Sequence, residues 1–213
     1  MARPALSHSD IADQLGRGGG LLGPSRTVMT LWIASGSALG AMALGTSPVA
    51  CVSWIGISGL ASVLLSVGVG LCLGAATIAG SRVIVRRAQW ARAICVALMP
   101  SLSGAAEAAL VTAALGSAVA EELLFRGLLV PVLGIVGSSI VFGAVHQLRG
   151  EGRWMWMVWA TVMGLLFGLV FAATGSLAGA IVAHATINLA NSRFLRDLSL
   201  EAPVRPLGGL LRR

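Results

Sequence analysis

Charge is what this chain has least of. Of its 213 residues, 11% are charged and 56% hydrophobic, and the mean hydropathy is +0.88. A soluble domain of this length needs far more charge to cover its surface, so a water-soluble globule is excluded. Lysine is absent: all 15 basic residues are arginine, a compositional bias with little functional weight. Cysteine is scarce as well. Cys51, Cys72 and Cys95 lie scattered through apolar segments without metal-ligand spacing, which fits buried small hydrophobes and speaks against a cysteine-built metal site. Residues 1–25 contain no apolar core fit for a signal peptide. There is also no inverted repeat of the transporter kind, and no linker that implies a second domain.

Long apolar runs fill the space that charge leaves. They fall at about 27–47, 51–80, 93–126, 128–148, 154–174 and 176–192. A span needs ~20 residues, so the expected fold is all-α, a polytopic transmembrane helical bundle of about six spans. Abundant glycine, 28 residues, fits close helix packing in lipid. Pro100 and Gly104 mark a break that makes 104–126 the third span. The stretch "RVIVRRAQWAR", residues 82–92, reads as a basic interfacial segment. The expected organisation is a flexible cytoplasmic tail over 1–25, with a short interfacial helix over 5–16. A membrane domain follows over 26–192, then a polar basic tail over 193–213. Six spans with both termini inside would put fourteen of the fifteen arginines on the cytoplasmic side, leaving only Arg126. This reading places the chain in the cell membrane as a multi-pass protein. It assigns the net charge of +7 to anionic lipid and orientation, with no nucleic-acid partner.

A few ionisable groups interrupt the apolar runs: Glu107, Glu121, Glu122, Arg126, His146 and His184, with Asn188 as a neutral polar companion. Each ionisable group inside a span costs ~2.5–3.5 kcal/mol on the insertion scale, so such groups are functional candidates by default. Glu122 and Arg126 are four apart and share a helix face, where they can pair. Glu121 is rotated about 100° from Glu122 and cannot serve that arginine equally, which leaves one acid free. His184 and Asn188 are again four apart, as are Phe142 and His146. A buried ion pair alone is as well explained by structure as by chemistry. Glu107, set among small residues in "GAAEAAL", reads as a packing or cavity-lining residue without a partner. Phe142 reads as packing. Taken together, an acid, two imidazoles and an amide are the parts of a hydrolytic site.

At these residues the sequence resembles the CAAX-protease and bacteriocin-processing (CPBP, or Abi) family of intramembrane glutamic endopeptidases. Three signatures stand in the family order over about 104–192. They are "EELLFRG" with Glu121, Glu122 and Arg126, "FGAVH" with Phe142 and His146, and "HATIN" with His184 and Asn188. The resemblance implies catalytic residues on facing helices. Glu121 would be the general base that activates water, with His146 helping to hold that water. His184 and Asn188 would stabilise the oxyanion, and Glu122, Arg126 and Phe142 would support the site. The substrate would be a membrane-associated protein or precursor peptide, and no cofactor is required. A neutral His184 is expected to donate through one ring nitrogen.

Three other readings compete. A zinc metalloprotease would use Glu121, His146 and His184 as ligands, although no H-E-x-x-H is present. A non-catalytic scaffold or bacteriocin-immunity protein would keep the constellation for structure alone. A transporter would use buried Glu and His as a proton relay, against which stand the small size and the lack of repeats. Depth poses a further difficulty. In a straight six-span layout, Glu121 lies toward the outer side and His146 toward the inner side. The chain must therefore break at Gly127, Pro131 and Gly134, or the 128–148 segment must sit deep and tilted.

Overall fold

A computed structural model describes residues 53–148, 150 and 152–201. The expected tail over 1–25, its short helix and the first apolar run at 27–47 lie outside the described residues. Among those described, every regular element is helical. The elements are α1 (Gly59–Arg87), α2 (Gln89–Leu102), α3 (Glu107–Glu122), a π-helical segment (Leu123–Leu129), α4 (Val130–Val145), α5 (Arg153–Thr174) and α6 (Ala178–Glu201).

Three helical stretches are long and apolar enough to cross a bilayer: Gly59–Arg87, Glu107–Val145 and Arg153–Thr174. The protein is accordingly a helical membrane protein. The layout differs from six even spans, since the segments expected at 104–126 and 128–148 form one helical path of 39 residues. That path is not straight. Ser138 Oγ donates to the Phe125 carbonyl at 2.7 Å, and the Phe125 and Phe142 ring centroids are 4.8 Å apart. In a straight helix, thirteen residues would separate Phe125 from Ser138 by ~20 Å. The reversal sits at Gly134, whose φ of 69° and ψ of 173° belong to a region that only glycine occupies readily. Beyond it, the eleven residues to Val145 rise ~16 Å, about half a hydrocarbon core. The second half of α4 is thus a short return segment with one face on protein, Ser138, Ser139, Phe142 and Gly143, and the other, Val136, Ile140 and Val145, exposed.

Small residues set the spacing. α4 lies antiparallel on α5, and a methyl group at Gly143 would collide with Thr161 Oγ1 and the Met157 carbonyl. α1 and α6 run in the same direction, with Ser66 beside Gly179, Gly74 beside Ala183, and Arg82 bonded to Ala190 and Asn191. α3 runs against α6, joined by Ser117 to Asn188 and by Glu107 to Arg193. α5 ends on Gly175 in the left-handed conformation, and α6 turns back from there.

Arg82, Arg86 and Arg87 near the end of α1, Arg92 on α2, Arg153 at the start of α5, and Arg193 and Arg196 late in α6 all gather at one end of the bundle. α2 crosses this end, its Trp90, Ile94 and Leu98 sharing a cleft with Trp156, Trp159 and Phe194. One expectation is corrected here. Glu107 is exposed and has partners: its carboxylate accepts from Arg193 Nε at 2.7 Å and from Arg196 Nη1 at 2.8 Å. The polar segment from residue 193 begins as helix, because α6 continues to Glu201.

Candidate active site

The reversal at Gly134 returns the end of α4 to the level of Glu121. Glu121 and Glu122 occupy the last two positions of α3, where the helix widens into the π segment that carries Arg126. Such widenings recur at functional sites because they redirect side chains within an otherwise regular helix. Here the widening leaves Phe125, Arg126 and Gly127 facing inward.

The two acids divide by partner. Glu122 is fully buried, and its Oε1 accepts from Arg126 Nη1 at 3.0 Å and meets His184 Nδ1 at 2.8 Å. Arg126, 1% exposed, also donates from Nη2 to the Gly164 carbonyl at 3.0 Å. Its guanidinium lies 4.7 Å from the Phe142 ring centroid and 5.3 Å from that of Phe167. A cation between aromatic faces and bonded to a carboxylate and a carbonyl is well compensated for its loss of water. Glu121, by contrast, has a buried Oε2 with no hydrogen bond. That oxygen lies 3.6 Å from His146 Nε2 and 3.9 Å from His184 Nε2. Both gaps are too long for a direct hydrogen bond and suited to a shared water. Glu122 Oε2 is the second buried oxygen without one.

The two rings are held through their other nitrogens. His146 Nδ1 is 2.7 Å from the Phe142 carbonyl, an acceptor only, so Nδ1 carries the proton and the neutral ring presents a bare Nε2. His184 Nδ1 faces the Glu122 carboxylate, which also requires a donor there. A neutral His184 consequently offers Glu121 a lone pair. It donates from Nε2 only when the ring carries a second proton.

Of the residues singled out by sequence, Glu121, Glu122, Arg126, Phe142, His146 and His184 converge. Asn188 stands one turn further along α6, where its Nδ2 donates to Ser117 Oγ at 3.3 Å. No group of three or more His, Cys, Asp and Glu side chains among the described residues is arranged to hold a metal ion. Three participants carry no sequence signal: Gly164 through its carbonyl, Ser117 through its hydroxyl, and Phe167 through its ring. Convergence of aromatics is the one sign available beforehand, since Phe125, Phe142 and Phe167 are three of only five phenylalanines.

The arrangement is a buried acid between two imidazoles inside a helical membrane protein, groups that can exchange protons with a shared water. Residues 104–190 match the family described as Rce1-like, type II CAAX prenyl endopeptidase Rce1-like. The segment holds every residue of the cluster. The chain is also similar to the uncharacterized protein YpbD of Bacillus subtilis (strain 168), at 37% identity over 71 residues. That similarity covers 33% of this chain and 37% of the relative. No solved structure matches.

Proposed function

We propose that the protein is an intramembrane endopeptidase of the glutamic type, hydrolysing a peptide bond in a membrane-associated protein or precursor peptide. The observation that carries this reading is the buried, unbonded Glu121 Oε2 flanked by two imidazole nitrogens at 3.6 and 3.9 Å. A water held between Glu121 and His146 loses a proton to Glu121 as its oxygen attacks the scissile carbonyl. The developing oxyanion is met by Asn188 and by His184, which donates from Nε2 as the imidazolium with Glu122 behind it. Glu121 then returns the proton to the leaving nitrogen, and two peptide fragments result. His146 is 23% exposed against 10% for Glu121 and 6% for His184, so the substrate enters past His146.

The family description directs the first choice of substrate to a prenylated C-terminal Cys-aliphatic-aliphatic-X sequence. Bacteriocin-like precursors and membrane-anchored sorting tails are the next candidates. We place the chain in the cell membrane with its arginine-rich end in the cytoplasm.

The test is cleavage, in liposomes, of an internally quenched farnesylated peptide of that type and of an unprenylated transmembrane tail peptide. Glu121→Gln should abolish cleavage, a loss of at least a thousandfold, while the variant accumulates normally in the membrane. Full activity in that variant would remove Glu121 from the chemistry, and no cleavage by the folded wild type would move the reading to a scaffold or immunity protein. Loss of wild-type activity to a chelator, restored by zinc, would instead make Glu121, His146 and His184 metal ligands.

A further inference from the structure

We infer that Phe167 is the positioning residue for His184, a wall of the site supplied by α5 and marked by no sequence motif. Its consequence for rate rests on the peptidase reading above, whereas its premise is geometric. A hydrogen bond at Nδ1 fixes one atom of an imidazole and leaves the ring free to pivot about that bond. To aim Nε2 at Glu121, the ring plane must also be held.

Phe167 supplies that second restraint. It is 2% exposed, and its ring stacks on the His184 imidazole with centroids 5.1 Å apart and planes at 24°. The same ring lies 5.3 Å from the Arg126 guanidinium, whose bonds to Glu122 and to Gly164 fix it in turn. The ring is thus set against a cation that cannot move, and the imidazole is set against the ring. Phe142 closes the far side of His184 edge-on at 6.0 Å and 77°. Each imidazole therefore has its own aromatic partner. Phe142 lies 4.3 Å from His146 and belongs to a motif, whereas Phe167, the counterpart for His184, sits in an apolar run.

The backbone around Phe167 leaves it little freedom. Gly164 and Gly168 on the same helix lie so close to Ser139 and Ile135 that a methyl at either position would press on α4. Phe167 itself packs with Ala180, Ala183 and Ile187 of α6. Two small residues of α6, Ala180 one turn before His184 and Ala183 next to it, leave room for the aromatic ring.

The experiment compares Phe167→Leu, which keeps apolar volume and loses the aromatic face, with Phe167→Tyr, which keeps the face. Both use the full chain in liposomes with the farnesylated quenched peptide. A second readout is nitrogen NMR of the histidine rings in labelled protein, with His184 assigned by its loss in His184→Gln. Phe167→Leu should lower kcat about tenfold with KM within about twofold, the size expected for an aromatic contact that orients a reacting group. It should also broaden the His184 ring-nitrogen signals as the ring samples more than one orientation. Phe167→Tyr should restore both to within about threefold. Unchanged kcat and an unchanged ring signal in Phe167→Leu would overturn the assignment, as would a loss that Phe167→Tyr fails to rescue. If Glu121→Gln stays active, the glutamic mechanism falls separately, and the ring signal alone decides the positioning role.

Discussion

Glu122 Oε1 accepts from Arg126 on the π segment and from His184 on α6, while Arg126 also reaches the Gly164 carbonyl on α5. One carboxylate oxygen thereby joins the chemistry to the scaffold. Removing one partner from a buried pair leaves the other charged and unpaired, at a cost of ~3–5 kcal/mol. Arg126→Gln should therefore destabilise the protein by about that amount, read as the shift of thermal unfolding in detergent. Pairing it as Glu122→Gln with Arg126→Met should recover more than half, because no charge is then stranded and the amide oxygen still accepts from His184. At this scale sequence spacing carries part of the picture. The Glu122–Arg126 pair follows from a four-residue interval on one helix. The Glu122–His184 bond spans 62 residues, and no periodicity within a helix reports on a contact between helices.

At the scale of elements, Gly134 decides whether the site exists. Open space surrounds a methyl placed there, so the whole penalty of Gly134→Ala comes from its backbone angles, ~1–3 kcal/mol. Because the alternative for the chain is to continue as a straight helix, the substitution should also carry His146 away from Glu121. Peptidase activity should then fall much further than unfolding temperature does. Gly80→Ala on α1, equally unobstructed and helical, is the control and should leave both unchanged. The composition of "RGLLVPVLG" announces a break somewhere after Arg126. It does not say which of Gly127, Pro131 and Gly134 takes it, because each is compatible with a bend. Gly127 lies within the π segment and Pro131 at the start of α4, where its missing N–H matters least. Glu107 was misread for a related reason: its arginine partners lie 86 and 89 residues away, on a stretch of α6 that looks like a tail in sequence.

For the whole molecule, the parallel pair of α1 and α6 and the antiparallel set of α3 with α6 and α4 with α5 collect the arginines at one end. The count of arginines per loop anticipates this arrangement, since charge placement depends on membrane sidedness more than on helix packing. Hydropathy does not show that the segments at 104–126 and 128–148 form one helical path with its reversal at Gly134. Orientation can be measured in a background with Cys51, Cys72 and Cys95 replaced by alanine. A cysteine at exposed Ser103, by the arginine end, should react with an impermeant maleimide only after the cytoplasmic face is opened. One at exposed Ser58, at the opposite end, should react in intact cells. The reverse pattern would invert the proposed topology.

The fold-back at Gly134 also bears on the order in which the site comes into being during synthesis. Glu121 and His146 are 25 residues apart and lie on consecutive pieces of one helical path, so their half of the cluster needs only its own hairpin to close. His184 leaves the ribosome 38 residues after His146, roughly 2–8 s later at ordinary elongation rates. Throughout that interval Glu122 and Arg126 have each other but not the histidine. A nascent chain therefore has its acid and one imidazole before the second imidazole arrives, and α6 is the helix that completes the cluster.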